Sequence, residues 1–194
     1  MFLTLRLHST QPATPWCSVA EEDLDRLVIE QIPHLRRYAR ALVGRDDRAD
    51  DLVQDCLERA WSRLGLWRRD GNMRAWLFTI MHNLNANAVR AAKRRPRHDS
   101  IDEAMPHAST PATQEARLEL VALANALRAL PDEQRAVVLL IGLEQLRYDE
   151  VATVLDLPIG TVMSRLHRGR ERLRRAMSGE PTAADAVPAL RRVK

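Results

Sequence analysis

Two cysteines, two phenylalanines and seven glycines are all that this chain of 194 residues contains of those types. Cys17 and Cys56 stand far apart, without a CxxC pair or Cys/His neighbours. That spacing offers neither a zinc site nor a disulfide framework and fits a reducing compartment. Scarce glycine and the near absence of alternating β-branched runs argue against an all-β fold. No run approaches the ~20 apolar residues of a membrane span. Met1 to Leu7 is apolar but interrupted by Arg6, and too short for the core of a signal peptide. The expectation is a cytoplasmic protein with no direct membrane insertion.

Leu, Ala and Arg dominate what is present, and 29% of the residues are charged. This is the composition of a soluble, helix-rich protein, long enough for one ordinary domain or two small helical ones. The formal net charge of +4 points mildly toward a polyanionic partner. Its distribution along the chain carries more information than its sum.

Residues 1–20 lack periodicity and read as a loose leader. From Glu21, Leu24, Leu27, Val28, Leu35, Tyr38, Ala39 and Leu42 recur at helical spacing, with a bend or break expected at Pro33 and an end at Gly44. In the next helix Ala49, Leu52, Val53, Cys56, Leu57, Ala60 and Leu64 form one apolar stripe, opposite Asp51, Asp55, Glu58 and Ser62. Cys56 lies on that stripe and reads as core rather than as a redox sensor. A third helix, Met73 to Lys93, turns Trp76, Leu77, Ile80, Leu84 and Ala88 toward the same core.

Pro96, Pro106 and Pro111 punctuate a polar stretch that reads as a linker. Beyond it Leu118, Val121, Leu123, Ala124, Leu127 and Leu130 predict a helix ending before Pro131. Shorter helices follow at Asp132–Leu143 and Tyr148–Leu155, and a last one at Pro158–Met177. The fold class is therefore all-α, with two small helical domains joined by a flexible linker. The division is leader 1–20, first domain 21–95, linker 96–114, second domain 115–177 and tail 178–194.

A short helix, a turn at Asp156 and Leu157, and a helix opening at Pro158 outline a helix-turn-helix. Val162, Leu166, Gly169 and Leu173 make the inner face of its second helix, while Thr161, Ser164, Arg165, His167, Arg168 and Arg172 point elsewhere. Thr161 to Arg175 holds six arginines and one acid. Arginine can bond guanine edges bidentately or neutralise phosphates, so one-signed charge behind this outline points to DNA rather than to a merely solvated face.

Three stretches here, LPDEQRAVVLL from Leu130, YDEVA from Tyr148 and LPIGTVMSRLHRGR from Leu157, resemble the C-terminal domain of extracytoplasmic-function sigma factors. The resemblance implies reading of the −35 promoter element in the major groove, with Thr161, Ser164, Arg165 and Arg168 in the matching positions; His167 and Arg172 of the same helix are assigned to that element with them. Three positions depart from the family pattern. Arg147 stands where Ser is frequent, which removes an expected capping box with Glu150. Met163 replaces a usual basic residue, and Gly169 replaces a common Ala at roughly 1 kcal/mol in helix propensity.

The stretch DDLVQDCLERAW, Asp50 to Trp61, is similar to the sigma segment that binds the clamp helices of the polymerase largest subunit. By that match Asp51, Gln54 and Asp55 contact core RNA polymerase, and Glu58 of the same face is assigned to that contact with them. The plain alternatives are an acidic solvent face or a metal site, the latter without a histidine or other supporting constellation. Met73 to Arg95 resembles the segment that reads the −10 element, with His82, Asn83, Asn85, Asn87, Arg90, Lys93 and Arg94 in that role. Asparagines can bond exposed base edges and the basic run suits phosphates. The asparagines equally read as a helix-weakening loop, and a break near Asn83–Asn87 fits either reading.

The two matches, at about Ala20–Arg95 and Glu115–Arg175, stand in the family's order across a linker. They imply a sigma factor of minimal, group 4 architecture. Its partners would be core RNA polymerase, promoter DNA and an anti-sigma factor that holds it until a stress or envelope signal. No catalytic residue, cofactor, metal or small-molecule substrate is assigned. Two other classes compete: a helix-turn-helix regulator that never enters polymerase, and a metal-dependent nuclease built on the acidic helix.

Overall fold

Gly44, at φ +74, ends the first helix in a conformation that glycine adopts without the steric cost a Cβ brings. The computed structural model describes residues 15–67, 71–94 and 113–178; the side chains of 15–22 and of Lys93 fall outside this description. The tail 179–194, residues 1–14 and 95–112 of the expected leader and linker also lie outside the described residues. Seven α-helices are described: α1 (Pro15–Val43), α2 (Asp46–Trp61), α3 (Met73–Arg94), α4 (Gln114–Ala129), α5 (Asp132–Gly142), α6 (Tyr148–Leu155) and α7 (Ile159–Met177). A single 3₁₀ turn at Leu64–Leu66 follows α2, and no strand occurs among the described residues.

Helix α1 begins at Pro15, earlier than the leader boundary at residue 20, and is continuous across Pro33 where a bend or break is expected. Proline removes one hydrogen bond and crowds the carbonyl four residues back. Buried Val28 on one side of Pro33 and Leu35, Tyr38 and Ala39 on the other hold both segments to one core. Leu27, assigned to the buried stripe, is 38% exposed. In α2 the predicted stripe is buried at Ala49, Leu52, Val53, Cys56 and Ala60. Asp46 and Asp47 in its first turn and Arg59 in its last complement the helix dipole. The Cys56 thiol donates to the Leu77 carbonyl at 3.5 Å, and burial pushes its pKa up to about 12, the behaviour of a core thiol.

No break occurs at Asn83–Asn87: α3 runs unbroken from Met73 to Arg94. Each asparagine weakens a helix by at most about 0.7 kcal/mol relative to alanine. Buried Met73, Leu77, Phe78, Ile80 and Met81 anchor the same helix, and the Phe78 ring meets Tyr38 edge-on at 5.0 Å. Ala88, expected in the core, is exposed.

Helix α4 starts one turn-defining residue earlier than the linker boundary suggests, at Gln114, where the Thr113 hydroxyl accepts from the Ala116 amide. Its apolar pattern is only partly buried: Ala126 is inside, whereas Leu118 is 65% exposed. Arg135 of α5 joins α4 to its neighbours. It donates to the carbonyls of Leu127, Arg128 and Leu130, filling acceptors left open at the helix end, and to Leu42 of α1 at 3.2 Å.

The helices make two units, α1–α3 and α4–α7, that pack on each other through α3 with α6 and α1 with α5 and α4. Their buried apolar residues form one continuous cluster from Val28 to Leu166. That closure is not foreseeable from the linker reading.

Candidate nucleic-acid interface

The helix-turn-helix is built by α6, a tight turn and α7. Asp156 adopts the left-handed conformation at φ 52, which lets the Leu157 amide return to the Ala152 carbonyl at 2.9 Å. Pro158 caps α7 from just outside the helix rather than occupying its first turn. Of the absent capping box, half survives: the Glu150 carboxylate accepts from the Arg147 amide at 2.8 Å. An arginine side chain has no acceptor to return the bond.

Val162, Leu166 and Gly169 seat α7 in the core. Gly169 lies against α5 so closely that a Cβ would meet Val138 Cγ2 at 2.7 Å, a packing reason for glycine at this position. Ser164, His167, Arg168 and Arg172 are exposed, and Thr161 and Arg165 half-buried. Arg168 folds back on Ser164, Arg172 donates to Gln134 at 3.2 Å, and Arg165 pairs with Glu133 at 2.7 Å. Arg170, not singled out in the sequence, is exposed on the same helix. Glu171, the lone acid of this helix, bonds Arg174 and Arg175. Arg174's hydrogen bond, foremost, brings its pKa to about 2.

On the first unit, Asp51, Gln54, Asp55 and Glu58 are all exposed on α2. Gln54 donates to Glu58 at 3.1 Å, and neither Asp51 nor Asp55 has an ion pair among the described residues. No group of three His, Cys, Asp or Glu residues is placed to hold a metal ion among the described residues. Asn83, Asn87, Arg90 and Arg94 are exposed on α3, while Asn85 and His82 are half-buried. The His82 Nδ1 is buried without a hydrogen-bond partner among the described residues, and burial, then the charge of Arg165, lowers the imidazole pKa. The closed packing thus brings His82 of α3 within the electrostatic influence of Arg165 of α7.

One cluster is invisible to a reading of faces. The Glu144 side chain, just beyond α5, is fully buried, yet it carries a charge. Burial raises its pKa, but hydrogen bonds from Arg37 and Arg74, the charge of Arg37 and a bond to His34 outweigh that and leave it lowered. Its sequence signal is an acid amid Leu139, Leu140, Leu143 and Leu146. A carboxylate among leucines requires cationic partners, though nothing local says where they come from.

Two family models match these two units: the Sigma2 domain of PhyR over residues 28–82 and Sigma-70, region 4, over residues 120–173. The chain is 36% identical over 146 residues to the ECF RNA polymerase sigma factor EcfG of Rhodopseudomonas palustris, covering 75% of this chain and 80% of that one. It is 37% identical over 162 residues to the ECF RNA polymerase sigma factor SigL of Mycobacterium tuberculosis, covering 81% and 90%. Among solved structures, the sigma factor RpoE of Bartonella quintana, in complex with the anti-sigma factor NepR, superposes with a TM-score of 0.72 at 30% identity, over 82% of this chain and 99% of that one. CnrH, in complex with the cytosolic domain of CnrY, gives a TM-score of 0.61 at 28% identity, over 83% and 91%. With both units matched in order and relatives aligned over most of their length, the chain belongs to the ECF sigma factors of RNA polymerase.

Proposed function

We propose that this chain directs core RNA polymerase to a subset of promoters, with each task assigned to one exposed face. Asp51, Gln54, Asp55 and Glu58 of α2 dock on the polymerase. His82, Asn83, Asn85, Asn87, Arg90, Lys93 and Arg94 of α3 hold the opened −10 region. Thr161, Ser164, Arg165, His167, Arg168 and Arg172 of α7 read the −35 element in the major groove. The mechanism uses binding and strand capture alone, with no catalytic residue, and operates in the cytoplasm. An anti-sigma factor, released by a stress or envelope signal, holds the chain inactive. Support for that partner comes from RpoE, solved in complex with the anti-sigma factor NepR.

The observation that carries the reading is the acidic face of α2: two exposed aspartates without an ion pair among the described residues, in a protein whose other candidate faces are basic. A free-standing DNA-binding regulator has no use for it, and a nuclease would need a metal there. The test is binding of the full-length D51A/D55A variant to core polymerase and, separately, to duplex DNA. Core affinity should drop at least tenfold with duplex affinity unchanged. Equal loss of both, or loss of divalent-metal binding instead, would overturn the assignment.

A further inference from the structure

The Glu144 carboxylate belongs to the second unit, and among the described residues every side-chain partner it has comes from the first. Arg37 Nε of α1 donates to Oε1 at 3.0 Å, Arg74 Nη2 of α3 to Oε2 at 2.6 Å, and His34 Nδ1 of α1 lies 3.0 Å from Oε2. Arg37 also donates to the Leu143 carbonyl at 3.1 Å, beside the same carboxylate. Tyr38, fully buried, feels the Glu144 charge as well. Two lesser links cross the same boundary: Asn72 of the first unit to Glu150, at the N-terminus of α6, and Arg135 to the Leu42 carbonyl.

This arrangement cannot read a promoter. By their names the two elements lie roughly 25 base pairs apart, on the order of 85 Å of B-DNA at 3.4 Å per step. The packing instead sets α3 against α6 of the helix-turn-helix and puts His82 of α3 within electrostatic reach of Arg165 of α7. The bond that must yield is therefore the one between the units.

We propose that Glu144, with Arg37, Arg74 and His34, is an internal latch that closes the helix-turn-helix unit onto the first unit and keeps the free chain from engaging both promoter elements, without any partner protein. Ion pairs that cross an interface give specificity of closure with modest net strength, because pairing is offset by desolvation. Such a contact can hold the resting state and still yield when polymerase binds the first unit. The consequence for promoter reading rests on the function proposed above; the latch itself does not.

The test is small-angle scattering of the full-length chain in ~150 mM salt, with binding of a labelled random-sequence duplex of about 40 base pairs as the second readout. The wild-type chain should scatter as one packed body. R37Q/R74Q should scatter as two separated bodies, with a radius of gyration larger by several Å and helix content preserved. It should bind the duplex about threefold or more tightly despite losing two positive charges, because the helix-turn-helix is freed from α3. A wild-type chain already extended, or a double variant as closed as wild type, overturns the latch. Should R37Q/R74Q lose helix content, R37Q alone, at a half-exposed position, decides by the same criteria. Neither readout contains polymerase, so failure of the latch and failure of the sigma assignment give different results.

Discussion

The Arg165 guanidinium of α7 lies 2.7 Å from the Glu133 carboxylate of α5, so a residue assigned to the −35 element is held by an acid of its own domain. Glu133 stands at the N-terminus of α5, where its charge also suits the helix dipole. The pair orients Arg165 and competes with DNA for it. R165A should weaken binding to the cognate −35 duplex by about 1–3 kcal/mol, the usual worth of a good arginine–base contact. E133Q should strengthen binding and raise its salt dependence little, since no phosphate contact is added. Fluorescence anisotropy against salt concentration measures both, and a stronger R165A complex would exclude Arg165 from the interface.

Gly169 against Val138 yields a prediction opposite to helix propensity. Alanine is favoured over glycine in a helix by about 1 kcal/mol. Here the new Cβ would stand 2.7 Å from a methyl of a stiff, β-branched side chain, and overpacking costs typically 1–3 kcal/mol. G169A should therefore lower stability by about 1 kcal/mol. G169A combined with V138A should be more stable than the two single effects sum to, which a double-variant cycle by chemical denaturation resolves. A plainly stabilising G169A would show that α7 and α5 do not approach this closely.

Closure of the two units should fail in acid. Glu144 has a pKa below the ordinary carboxylate value when closed, with Arg37, Arg74, His34 and Tyr38 facing it. A lowered pKa means that its contribution to closure is fully present above the ordinary carboxylate range. It is lost as pH falls through the lowered value. The wild-type chain should open on acidification before its helices melt, and E144Q should lose that acid step. Scattering and circular dichroism across pH 3–6 follow opening and melting separately.

Much of this architecture is legible in the residues themselves. The stripe Ala49, Leu52, Val53, Cys56 and Ala60 is buried as its spacing predicts, and α6 spans Tyr148–Leu155 as read. Both depend on local periodicity, which a single helix expresses in full. Pro33 and the Asn83–Asn87 run predict breaks that do not occur, because the tertiary core outweighs their local cost. Leu118 and Leu123 of α4 look interior by spacing and stand exposed, since periodicity marks an apolar face without naming what covers it. Glu144 with Arg37 and Arg74 was beyond reach for the same reason. Those residues lie 107 and 70 positions apart, and only the folded chain brings them together.

Promoter selection for RNA polymerase by this chain is tested by in vitro transcription. Purified full-length protein is added to core polymerase on a pool of genomic promoter fragments, and transcript 5′ ends are mapped. The account predicts initiation at a small set of sites sharing upstream −35 and −10 sequences, lost with D51A/D55A. Core polymerase that starts no more specifically with the protein than without it would contradict the account.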